Sequence, residues 1–161
     1  MQALTAVPAI LHTIFFHRLF TPLQPTTHEI LDLTLPQIRD PEITSLIDSK
    51  TTQLLRHLDS TYSTQRANLT LSFLEKKRRK GWFVAKADEE TVWETWIIKI
   101  DVLSARTEME AGRLRKGMER TLSKAVLKVV DTVNRERNHI PPITTNESNP
   151  FPYAITVGGK G

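Results

Sequence analysis

Apolar residues change their spacing several times along this chain, and each change predicts an element. Val7, Ile10, Leu11, Ile14 and Phe15 recur at helical spacing across residues 5–19, and Pro8 falls in the first turn, where its missing N–H removes no internal bond. A buried core helix is expected there. The segment HEILDLTL, residues 28–35, alternates instead, with Glu29, Leu31, Leu33 and Leu35 on one side and His28, Ile30, Asp32 and Thr34 on the other. That pattern predicts one strand, ended by Pro36. Asp40-Pro41-Glu42 then marks a helix start, combining a carboxylate for free backbone N–H groups, a proline suited to the first position and an acid at the positive end of the dipole. Ile43, Leu46, Ile47, Leu54, Leu55 and Leu58 carry its apolar stripe to about Tyr62.

Leu69, Leu71 and Phe73 alternate with Thr70 and Ser72, and alternation returns at residues 92–103, with Glu94, Trp96, Ile98, Ile100 and Val102 on one face. The two strands predict a hairpin. Its loop, roughly residues 77–91, is longer than a connection requires, and long loops are commonly functional. After Ser104 the period is helical to about Asn138, with Met109, Leu114, Met118, Leu122, Ala125, Val126, Val129 and Val133 in one stripe. Pro141-Pro142 ends that helix, a polar linker follows, and Phe151, Tyr153, Ile155 and Val157 alternate in a last strand. This order predicts an α+β domain with helices packed on one face of an antiparallel sheet. At 161 residues a single domain with one core, residues 1–161, is expected, with residues 158–161 as a flexible tail.

Composition narrows the chemistry. Cysteine is absent, which excludes disulfides, thiol catalysis and cysteine-held zinc. The net charge of +4 is local, since removing residues 76–80 leaves the rest near neutral. The apolar start, MQALTAVPAILHTIFF, lacks a basic lead and is broken by Thr5, Pro8, His12 and Thr13, so it reads as a core helix and not as a signal or a membrane span.

Catalytic constellations are hard to find. His12 and His17 stand about 140° apart around a helix and cannot face one metal; one buried and one surface histidine is the expectation. His28, His57 and His139 are scattered, with no triad spacing, and no glycine-rich phosphate loop occurs. The chain is expected to be no enzyme and to need no cofactor or metal. The run Lys76, Lys77, Arg78, Arg79 and Lys80 suits an anionic lipid or nucleic acid, or simply a solvated strand end that blocks unwanted pairing. Nucleic acid is the weaker of these, without interleaved aromatics. Trp82 and Phe83 follow Gly81; the residues leave open a lid on the core or a displayed anchor, and the flanking charges favour display.

The segments AILHTIFFHR, EILDLT, LSFLEKKRRKGWF with WETWIIKIDV, and NRERNHIPPI occur in an order that resembles the autophagy-related protein 101 family. The resemblance implies a HORMA fold, with three helices against a three-stranded antiparallel sheet and smaller strands at the other side. It implies a non-catalytic, cytoplasmic adaptor at the preautophagosomal structure, binding and stabilising the HORMA domain of autophagy-related protein 13 in the autophagy-initiating kinase complex. It also implies an exposed "WF finger", here Trp82 and Phe83, that recruits downstream autophagy factors. The family's finger often carries a proline between its aromatics; here they are adjacent and on extended backbone point to opposite sides. The family begins with a strand, and here the chain starts almost at the helix, so that strand is expected to be absent. A short C-terminal region implies no peptide-trapping safety belt and a fixed dimer partner. HORMA pairing through the long third helix would use about Glu108 to Arg137.

Overall fold

The chain is described by a computed structural model covering residues 5–60, 66–77, 89–144 and 149–158. The first helix forms as expected: α1 spans Ala6–Arg18 and buries Val7, Leu11, Ile14 and Phe15. It is a core element.

The predicted strand at residues 28–35 is instead a hairpin. β1, Pro25–Ile30, and β2, Leu33–Ile38, pair antiparallel around a two-residue turn at Leu31 and Asp32, whose φ values are 51° and 62°. Two successive left-handed residues match the twist of flanking strands, which is why such turns close tight hairpins. They also shift the alternation, so that Ile30 and Leu35 are the buried residues and the single face drawn through Glu29 and Leu31 is lost. Pro36 does not end the element. Counting pairs outward from the turn puts Thr27↔Pro36 at a non-hydrogen-bonded position, where β2 needs no N–H.

The second helix, α2, spans Pro41–Ser60. Asp40 Oδ1 accepts the backbone N–H groups of Glu42 at 2.9 Å and Ile43 at 3.1 Å, as the Asp-Pro-Glu start predicted. Ile43, Ile47 and Leu54 are buried.

β3, Arg66–Lys77, and β4, Glu89–Asp101, form the main hairpin, so both strands run further into the predicted loop than alternation suggested. The last strand, β5, Tyr153–Gly158, pairs antiparallel with the other side of β3, giving the order β4-β3-β5. One face of this sheet carries Ala67, Leu69, Leu71, Phe73, Ile100 and Ile155 into a core shared with α1 and α2. The opposite face carries Thr95, Ile97 and Lys99 in solvent.

The third helix, α3, spans Glu108–Arg135, shorter at both ends than predicted. Thr107 caps it, its hydroxyl accepting the Glu110 N–H. Leu122, Val126, Val129 and Val133 are buried, but Met109 is 69% exposed and stands outside the stripe assigned to it. Thirteen residues before Leu122, it lies about 140° around the helix from the buried residues.

Candidate functional site

The middle of the β3–β4 hairpin is built around one carboxylate. Between the pairs Phe73↔Glu94 and Leu74↔Val92, β4 holds an extra residue, Trp93. This bulge re-aims the strand, turning Trp93 partly into the core, whereas Val92, inward by strict alternation with Glu94, is 51% exposed. The ring of Trp93 lies 5.7 Å from Phe73, 5.0 Å from Phe151 and 5.7 Å from His139.

Glu94 faces the same interior, with its side chain only 10% exposed, and Arg18 at the end of α1 is 3% exposed. Two buried charges need each other and further hydrogen bonds to offset their lost hydration. Both have them. Arg18 Nε lies 2.9 Å from each oxygen of Glu94, while its terminal nitrogens donate to the carbonyls of Val133, at 3.4 Å, and Glu136, at 2.8 Å. Those carbonyls close the C-terminal end of α3, where free acceptors and the negative end of the dipole favour a cation. The Trp96 indole donates to Glu94 Oε1, and His139 Nε2 sits 2.6 Å from Oε2.

One guanidinium and one carboxylate therefore join α1, β4, the end of α3 and the segment after it. Three of the sequence blocks meet here: the helix ending His17-Arg18, the strand Trp93-Glu94-Thr95-Trp96, and the Asn134–Ile143 block through Glu136 and His139. Sequence reasoning placed His139 among scattered histidines and missed the pairing. A signal was available: Glu94 alternates with Trp96, Ile98 and Ile100, and a carboxylate on an apolar face requires a buried cation.

Further along the hairpin, at the Lys77 end, Lys76 and Lys77 are exposed and stand opposite Glu90 and Glu89. Lys77 also lies 3.6 Å from Glu75. These cations are answered by acids on their own and the neighbouring strand, as for a solvated edge. Arg78, Arg79, Lys80, Trp82 and Phe83 lie outside the described residues.

The histidine expectation holds for His12, which is 5% exposed, while His17 is half-buried against Phe16. His12 lines a cavity of about 230 Å³ with Pro8, His28, Thr44 and Asp48, and its Nδ1 has no hydrogen-bond partner among the described residues. Burial pushes its pKa below the ordinary 6.5, with His28 adding to the fall and Asp48 opposing it. Burial and neighbouring Arg18 lower His17 as well. No group of three or more metal-ligating side chains converges among the described residues. None of their helices is long and apolar enough to cross a membrane.

Comparison with known proteins bears out the family resemblance. The family model described as autophagy-related protein 101 matches residues 1–147. The chain is similar to autophagy-related protein 101 of Schizosaccharomyces pombe, 29% identical, over 96% of this chain and 79% of the relative. The Arabidopsis thaliana relative of that name is 27% identical over 92% and 77%, and the human one 23% over 89% and 71%.

Proposed function

Because the chain belongs to the autophagy-related protein 101 family and has its role in autophagy, we propose that it is a non-catalytic adaptor of the kinase complex that initiates autophagosome formation. In this reading residues 1–161 form a single HORMA domain that binds and stabilises the HORMA domain of autophagy-related protein 13. It works in the cytoplasm at the preautophagosomal structure. Trp82 and Phe83, between β3 and β4 in the sequence, recruit the downstream factors.

The family match over residues 1–147 supports this reading most. The hairpin adds a physical reason. A recruiting segment is more useful when the hairpin carrying it is fixed relative to the surface that holds the complex, because orientation freedom lost on docking weakens binding. The buried Arg18–Glu94 pair ties the middle of that hairpin to α1 and α3.

Mixing the purified chain with the HORMA domain of autophagy-related protein 13 should yield a stable heterodimer on size-exclusion chromatography. Two separate peaks at micromolar concentration would sink the proposal. Contact of residues 76–80 with anionic lipid is the weaker reading, since Lys76 and Lys77 face Glu90 and Glu89 across the hairpin.

A further inference from the structure

A second basic surface lies on α3, away from the run at residues 76–80. The buried residues Leu122, Val126, Val129 and Val133 define the side of α3 that faces the body. Advancing about 100° per residue places Arg113, Lys116, Arg120, Lys124 and Lys128 along the opposite side. All five are exposed. Their span, fifteen residues at a rise of about 1.5 Å, covers about 22 Å of helix.

Among the described residues none of these five cations makes an ion pair or a hydrogen bond, whereas Arg115, on the body-facing side, lies 3.8 Å from Asp32. Of the carboxylates on α3, Glu119 is half-buried on the flank, Asp131 is held by Arg135 at 2.8 Å, and Glu110 accepts the Arg106 backbone N–H at 2.8 Å. The five cations outnumber the acids on their side, so the stripe carries net positive charge on a solvent-facing cylinder.

Two large apolar side chains lie along it. Met109 is 69% exposed and Leu127 65% exposed. They are eighteen residues apart, which is five whole turns at about 3.6 residues per turn, so both fall on one line near Lys116 and Arg120. Neither is needed by the core.

The geometry points to this face of α3 as a docking surface for anionic phospholipid. Charge complementarity selects an anionic occupant. The form of the surface selects a membrane over an acidic protein: no described group holds the cations, and two exposed apolar side chains lie among them. Unanchored Lys and Arg on long stems follow a fluid layer of headgroups, while Met109 and Leu127 enter the headgroup–acyl boundary at two points along the helix. This inference goes beyond the adaptor reading and gives to lipid the outward side of α3, the helix through which the family resemblance implies HORMA pairing.

Vesicle co-sedimentation of the full 161-residue chain tests it. The chain should partition onto phosphatidylcholine vesicles containing phosphatidylserine and far less onto phosphatidylcholine alone, and added salt should weaken it. Neutralising Arg113, Lys116, Arg120 and Lys124 to Gln should lower partitioning about five-fold for each cation removed. Met109→Gln with Leu127→Gln should lower the part of binding that survives high salt. Lys76→Gln with Lys77→Gln should leave partitioning unchanged. All variants should keep the wild-type unfolding temperature, which separates lost docking from lost folding. Equal binding to both vesicle types, or full binding by the four-cation variant, would overturn the inference. Binding to polyglutamate or to an oligonucleotide without binding to anionic vesicles would overturn it too, and would assign the face to an acidic protein or to nucleic acid.

Discussion

The middle and the far end of the β3–β4 hairpin are held by opposite means. In the middle, at the pair Phe73↔Glu94, Glu94 is nearly buried and shared among Arg18, Trp96 and His139, with the Arg18 guanidinium also closing the end of α3. At the far end, Lys76 and Lys77 face Glu90 and Glu89 in open solvent. Both places set opposite charges together, yet only the middle does so out of water, where an unpaired partner has no solvent to turn to. The same chemistry therefore fixes the middle and merely keeps the far end soluble. A hairpin made this way is anchored to the body four residues short of Lys77.

Removing the carboxylate should break this contrast most severely. Glu94→Ala leaves Arg18 buried without its counter-charge and should cost about 3–5 kcal/mol in chemical denaturation. His139→Ala removes one hydrogen bond to the same carboxylate from a half-exposed ring, and about 1 kcal/mol is expected. Lys76→Gln with Lys77→Gln at the far end should change stability by less than about 0.5 kcal/mol. If the lysine variant were as damaging as Glu94→Ala, the distinction between the middle and the far end would collapse.

These measurements belong above the histidine range, because acid has its own effect through His12. Its folded pKa lies below 6.5, so as pH falls through 6.5 the unfolded chain takes up a proton that the folded chain does not. More protons on the unfolded state mean that stability falls with pH. His12→Gln should flatten that slope in a pH series of denaturation curves, and an unchanged slope would assign it to other groups.

Much of the frame was legible in local pattern. Asp40 announced α2 through a cap that depends only on residues beside it, and Leu69, Leu71 and Phe73 announced β3 because one face of that strand is wholly buried. The turn at Leu31 and Asp32 was hidden, since neither residue is the glycine or asparagine that usually marks left-handed backbone, and alternation read straight through it. Met109 was misplaced because it stands thirteen residues before Leu122, about 140° around the helix at about 100° per residue, and so shares a side with exposed Leu127 and not with the buried stripe. The Glu94 site was least legible. Its partners Arg18 and His139 lie 76 and 45 residues away in sequence, and only the assembled fold brings them together.

In the proposed adaptor reading, the body holds autophagy-related protein 13 while Trp82 and Phe83 recruit what comes later. Precipitating the Trp82→Ala, Phe83→Ala double variant from cells, and measuring autophagy-related protein 13 and downstream autophagy factors in the same sample, separates the two roles. Retained autophagy-related protein 13 with depleted downstream factors is the predicted result. Loss of both together, or loss of neither, would contradict it.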